Sequence, residues 1–511
     1  MLRRSSSQRC TDETKKLHCE AQSNPEKNST ELKNKTQIFH TPSSRVKITN
    51  KKRIKNMTDN NNKDINRRKF LKILGGGALG VAALNACDFS GERNNEQIFD
   101  KTDVPSDKMT YRINHNTGDK VSLLGYGCMR WPLRTNASGE EEVDQDAVNE
   151  LVDYAIAHGV NYFDTAPVYV RGWSEKATGI ALSRHPRDKY FIATKSSRSN
   201  TLESGIAMYR KSMEDLQVNY IDYYLLHNVG RSIEDFENRF IKNGLLNFLL
   251  KEREAGRIRN LGWSFHGIME GFDHVLNLGE HWDFCMIQLN YQDWKYADTG
   301  RNVNAEYLYN ELVKRNIPAI IMEPLLGGRL GRVPIQALTI MKETNPDDSP
   351  AKWAFRYAGT PENVLTVLSG MVYMEHLQEN IRAYSPLEPV SEQEYKTLEK
   401  VTDILVNEEY IQCTECQYCM PCPYGLDIPA TFAHYNRCIT EGNIAKDSRD
   451  ENYRKARRAF LIGYDRSVPK LRQANHCINC NQCLADCPQK INIPEEMYKI
   501  DKFVEQLKIN G

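Results

Sequence analysis

The 511-residue chain has no apolar run long enough to cross a bilayer. Its best candidate, residues 73–86 (ILGGGALGVAALNA), is rich in glycine and shorter than the roughly 20 apolar residues a spanning helix needs. An excess of charge is missing too. Lys and Arg number 68 against 67 Asp and Glu, so no global field favours nucleic acid or an anionic surface. No internal repeat stands out beyond a strand–helix period. The length exceeds that of one average domain and allows a sizeable core.

The charge balance fails locally. Residues 1–56 carry 14 basic and 5 acidic side chains and few apolar ones. Such a segment cannot bury enough surface to fold. It reads as a basic tail or, the reading adopted, as an over-extended start ahead of Met57; no nucleic-acid partner is expected. Residues 57–87 then follow the order of an export signal. Arg67-Arg68 lies within Asn66–Lys72, the apolar run comes next, and Leu84-Asn85-Ala86-Cys87 ends it. This resembles a bacterial twin-arginine (Tat) lipoprotein signal. The resemblance implies export of the folded protein to the cell envelope and a lipid anchor at Cys87 rather than a membrane span. Residues 88–108 read as a polar linker.

From residue 109 strand-like and helix-like stretches alternate. Asn116-Thr117-Gly118 marks a hairpin between Met109–Asn114 and Lys120–Gly125. Strands are predicted at 121–127, 161–165, 189–195, 220–227, 258–265, 284–290, 318–323 and 364–370. Amphipathic stretches such as 145–158 and 203–216 lie between them. Eight such units imply parallel strands closed as a (β/α)8 TIM barrel over 109–385. A polar helix within 386–410 leads on to a cysteine-rich module, 411–511.

Barrel enzymes place their chemistry at the C-terminal ends of the strands. Asp164 ends the second predicted strand, Tyr169 lies just beyond it, Lys195 ends the third and His227 the fourth. Physical chemistry gives the set a use. A phenol of pKa about 10 is a poor acid at neutral pH. A lysine ammonium beside it would lower that value, and a carboxylate would hold the lysine charged. His227 would orient a carbonyl. The four resemble the catalytic tetrad of the aldo/keto reductases. That resemblance covers roughly residues 109–385 and implies hydride transfer between a nicotinamide and a small carbonyl or alcohol substrate.

The same resemblance places Ser264 and Gln288 on the nicotinamide carboxamide. It puts Met322 where relatives stack a tyrosine, and Glu379 and Asn380 at the adenine. Gly327-Gly328-Arg329 would approach the diphosphate or form a turn. Segment 369–380 (SGMVYMEHLQEN) contains no Lys or Arg, so nothing there offers a cation to a 2′-phosphate, and NAD and NADP both stay open. Met129, Trp131 and Trp294 would line a substrate pocket or simply pack.

Eight of the 14 cysteines form two runs: Cys413, Cys416, Cys419, Cys422-Pro423 and Cys477, Cys480, Cys483, Cys487-Pro488. Zinc or disulfides are alternatives, but the three-residue period is poor bridging geometry. Each run is followed by Ile-Pro. The second run has the spacing of bacterial ferredoxins, and the first departs by one residue in its last gap. The resemblance implies a helical ferredoxin-like domain with two [4Fe–4S] clusters. Cys413, Cys416 and Cys419 would share one cluster with Cys487, and Cys477, Cys480 and Cys483 the other with Cys422. A reductase barrel with such a tail resembles the iron–sulfur branch of the aldo/keto reductases. Cys128, Cys285 and Cys438 are expected to be buried. The basic stretch at Arg454–Arg458 would be a solvated face or would meet an acidic redox partner protein. An alternative function is therefore single-electron transfer, with the barrel as a docking or ligand-binding scaffold. A cluster accepts one electron at a time, and no flavin fingerprint is present to split a hydride.

Overall fold

Eight runs rich in β-branched, aliphatic and aromatic residues cannot each keep one wet face; almost every residue in them is buried, as in a parallel sheet covered on both sides. A computed structural model shows them closing on themselves. It describes residues 104–197, 199, 201–297 and 302–509. The basic tail, the export signal with Cys87 and most of the linker lie outside the described residues.

The barrel strands are β1 (Leu124–Gly127), β2 (Tyr162–Asp164), β3 (Phe191–Ser196), β4 (Ile221–Val229), β5 (Ile258–Phe265), β6 (Phe284–Gln288), β7 (Ala319–Met322) and β8 (Val364–Ser369). They are parallel neighbours in chain order, and β8 pairs back onto β1. Most strands lie within the predicted stretches and are slightly shorter, while β4 runs two residues further, to Val229. The barrel interior is packed by Tyr162, Tyr223, Leu225, Phe284, Met286 and Ile320 among others. A larger core fills the space between strands and surrounding helices.

A hairpin pairs Tyr111–Ile113 with Lys120–Ser122 and closes the N-terminal end. There Asp119 accepts from the Tyr223 hydroxyl (3.1 Å), Asn260 (3.3 Å) and Arg259 (2.9 Å). That polar plug leaves the opposite end for chemistry.

The connecting helix, Glu392–Val406, starts at a capping box of Ser391 and Glu394. Arg356 ties it to the barrel through Glu394 (2.6 Å). Beyond it, helices Ile428–Thr440, Tyr453–Ser467 and Ile493–Ile509 pack around Phe432, Phe460, Tyr464 and Met497, a core separate from the barrel's. The two Ile-Pro sequences open the first and last of these helices, where proline's missing N–H costs nothing.

Candidate active site at the barrel mouth

Asp164 is the last residue of β2, and Lys195 is the penultimate residue of its neighbour β3, so the two side chains meet. Lys195 Nζ donates to Asp164 Oδ1 at 2.5 Å and to the Thr165 carbonyl at 2.8 Å. Lys195 is wholly buried, and only the paired carboxylate makes that tolerable. Its ammonium lies 4.8 Å from the centre of the Tyr169 ring, over the face. Tyr169 opens a tight turn, Tyr169–Gly172, in which Val170 and Arg171 take φ values of 48° and 58°. A β-branched residue in the left-handed region is strained, and the strain sits beside the tetrad.

The acidity of Tyr169 differs from the sequence expectation. Burial, and then the Asp164 carboxylate, push its phenol well above the ordinary value. The physical reason is that Lys195 is already neutralised by Asp164 and sits over the ring face. Tyr169 therefore keeps its proton at neutral pH and is a weaker acid than a free phenol.

His227, on β4, faces the Tyr169 ring edge-on with centroids 6.1 Å apart. Burial first, and Lys195 next, hold its imidazole well below the usual range, so the ring is neutral. Nδ1 bonds the Ser197 hydroxyl at 2.9 Å, and Nε2 lies 3.4 Å from the hydroxyl of Tyr418. When Ser197 donates to Nδ1, Nε2 carries the hydrogen and points it at Tyr418. Against the larger effect of burial, Tyr418 also interacts with Tyr169 and lowers the pKa of its phenol. Asp164, Tyr169, Lys195 and His227 thus converge, joined by a tyrosine that the sequence reading did not single out. No local signal marks Tyr418 beyond its place between Cys416 and Cys419.

Ser264, on β5, accepts from the Asn228 backbone N–H at 2.9 Å. Gln288 ends β6 in register with Met322, which ends β7 partly buried. The Gln288 amide nitrogen donates to Asp293 (2.5 Å), and its oxygen accepts from Gln489 of the cysteine module at 3.1 Å. Glu379 and Asn380 lie on the helix after β8. Glu379 accepts from the Ser349 hydroxyl, and Asn380 donates to Ser369 at 3.0 Å. Arg329 donates to Gln412 (2.7 Å) and Arg130 to the Thr414 carbonyl (2.6 Å). A Cβ on Gly327 would stand 2.5 Å from Thr414 Cα, so this glycine serves the module's close approach. Trp131 donates to Thr178 and packs against Tyr126, and Trp294 packs against Tyr309, so neither needs a ligand to account for it.

The two cysteine runs repeat one backbone pattern. Glu415 and Gln417 in the first, and Asn479 and Asn481 in the second, take positive φ at the same offsets. Left-handed residues interleaved in a tight loop turn backbone N–H groups toward an anion. Glu415 N–H donates to Cys413 Sγ and Ile491 N–H to Cys487 Sγ, both at 3.4 Å. Burial first, and then the Glu323 carboxylate and the Cys487 thiol, push Cys416 up to about 11. Cys413 and Cys419 also feel Cys487, Cys419 feels Cys483 as well, and Cys483 feels Cys477, Cys480 and Cys422. Thiols crowded together oppose one another's ionisation, and iron offsets that opposition. Cys419, Cys422, Cys477, Cys480 and Cys483 border a cavity of about 240 Å³ walled by Ile428, Ile493 and Met497. Among the described residues no group of three or more His, Cys, Asp or Glu forms a single-ion site. A cubane, by contrast, spaces its thiolates with its own irons and sulfides. Cys128, Cys285 and Cys438 are buried.

A family model described as "Aldo/keto reductase family" matches residues 123–403, and one described as "4Fe-4S dicluster domain" matches 412–491. L-galactose dehydrogenase of Arabidopsis thaliana is 27% identical over 322 residues, 58% of this chain and 95% of that protein. A probable aldo-keto reductase 1 of Glycine max is 34% identical over 157 residues, 29% of this chain and 42% of its own length. The chain therefore spans less than half of the soybean relative. Among solved structures, an aldo-keto reductase from Bacillus halodurans has a TM-score of 0.47 at 22% identity, covering 57% of this chain and 96% of its own.

Proposed function

The chain belongs to the aldo/keto reductase family and carries a 4Fe-4S dicluster domain, and from that premise we propose that it moves hydride between a nicotinamide and a small carbonyl or alcohol. The observation that carries this reading is the convergence of Asp164, Tyr169, Lys195 and His227 at one end of the barrel. A nicotinamide, when bound, supplies or accepts the hydride. Gln489 already holds a carboxamide against Gln288, which supports the fit of that group there. Tyr169 O–H gives its proton to the carbonyl oxygen, and the Lys195 ammonium faces the phenolate left behind. His227 Nε2 directs the carbonyl toward Tyr169. Asp164 keeps Lys195 charged and fixed.

The eight cysteines would hold two [4Fe–4S] clusters, which supply one-electron storage when present. One thiol group lies next to the tetrad through Tyr418. The other opens to solvent, with Cys480 exposed and Ile478 and Tyr424 largely exposed at its cavity. That opening favours a second reading, in which a partner protein exchanges single electrons there. The twin-arginine motif and Cys87 support an exported, lipid-anchored protein of the bacterial envelope. No helix among the described residues is long and apolar enough to cross a membrane.

Titration of the cluster-loaded protein with NADH and NADPH tests the nicotinamide reading. NADH should bind at least as tightly as NADPH, because 369–380 offers the 2′-phosphate no cation. Failure of both to bind would contradict the nicotinamide reading; a preference for NADPH above roughly tenfold would contradict only the expected choice of cofactor.

A further inference from the structure

The cysteine module does more than pack against the barrel; it reaches the two places where the reaction's ligands would make their polar contacts. Tyr418 sets its hydroxyl 3.4 Å from His227 Nε2, with the two rings edge-on, where a substrate oxygen would be received. Gln489 sets a carboxamide on Gln288, and Asn302 holds that carboxamide from its other side at 3.3 Å. The chemical match is specific. The amide nitrogen of Gln288 is committed to Asp293, so its oxygen faces whatever N–H donor arrives. At present that donor is Gln489 Nε2, the same kind of group a nicotinamide carboxamide would present. Thr414, against Gly327, and Gln412, on Arg329, cover the turn that would approach a diphosphate.

We propose that Tyr418 and Gln489 are residues of the reductase site that act as internal stand-ins, the phenol for the substrate oxygen and the carboxamide for that of the nicotinamide. Docking of the module and binding of those ligands then compete, and the module sets access to the site. The inference rests on the nicotinamide reading given above. A site whose competent state is only partly populated binds its ligand more weakly by that fraction, so loosening the docked state raises apparent affinity.

The test is a titration of the full-length, cluster-loaded protein with NADH, read by quenching of intrinsic fluorescence. It compares the unaltered chain with Gln489→Ala, Gln489→Met and Tyr418→Phe, each matched for iron content. Gln489→Met keeps the side-chain length in case Gln489→Ala disturbs packing, and Tyr418→Phe keeps the ring. The expected result is NADH binding tighter by roughly tenfold in the Gln489 variants and by a smaller factor in Tyr418→Phe. Hydrogen exchange in 412–419 should also rise when NADH saturates the unaltered chain. A merely structural role would weaken binding, so the direction of the change separates the two. Equal or weaker binding in every variant, with no added exchange, overturns the inference and leaves the nicotinamide reading standing. Failure of every protein to bind NADH overturns that reading and the inference with it.

Discussion

Tyr169→Phe removes one oxygen and should lower carbonyl reduction by about 10²–10⁴-fold, the range a positioned proton donor contributes. The ring stays, so its packing over Lys195 and against His227 survives. Visible absorption of the iron–sulfur centres should be unchanged, because no cysteine is touched. The loss should fall on kcat more than on KM, since Tyr169 acts on the oxygen as charge develops there. Burial holds the phenol of the unaltered chain protonated, so its loss by ionisation should not lower activity as pH rises across the neutral range. An activity within threefold of the unaltered chain would remove Tyr169 from the chemistry.

The second large effect is on stability. Lys195→Met leaves Asp164 in a dry site without its cation, and the Thr165 carbonyl loses a donor. Removing one partner of a buried ion pair costs about 3–5 kcal/mol. Lys195 and Asp164 are 0% and 2% exposed, so solvent screening does not reduce the figure. Burial raises the Asp164 carboxyl even with Lys195 present. In the variant its folded pKa rises further above the unfolded value, so the folded state binds the extra proton. The deficit is then small below the unfolded pKa, grows as pH rises through the folded pKa and is full above it. Asp164→Asn combined with Lys195→Met should recover most of the loss at pH 7. Denaturant unfolding of the barrel checks both statements. A deficit under about 1 kcal/mol, or no recovery in the double variant, would show that the pair does not behave as a buried ion pair.

The barrel was legible because strands covered on both faces read as apolar runs, and polar residues at the ends of such runs stand out. Asp164, Lys195 and His227 are all of that kind. The 4Fe-4S dicluster domain was legible because the two cysteine runs carry their own spacing. Tyr418 and Gln489 were not, because their partners lie 191 and 201 residues away and no period links them. The protonated state of Tyr169 was also hidden, since it depends on how deeply the turn after β2 is buried and on which face of the ring meets Lys195. Sequence left Trp131 and Trp294 undecided between pocket and packing, and only their neighbours decide it.

The central claim is that hydride passes directly to carbon at the Tyr169 site rather than through the iron–sulfur module. Label transfer tests it most directly. The cluster-loaded protein is mixed with NADH deuterated at the nicotinamide C4 and a panel of small aldehydes and ketones, and the alcohols are examined for deuterium. The account predicts the label on the carbinol carbon of whichever carbonyl is reduced, and its loss with Tyr169→Phe. Reduction with the label released to solvent, or reduced clusters without labelled alcohol, would contradict it and make the chain a single-electron carrier.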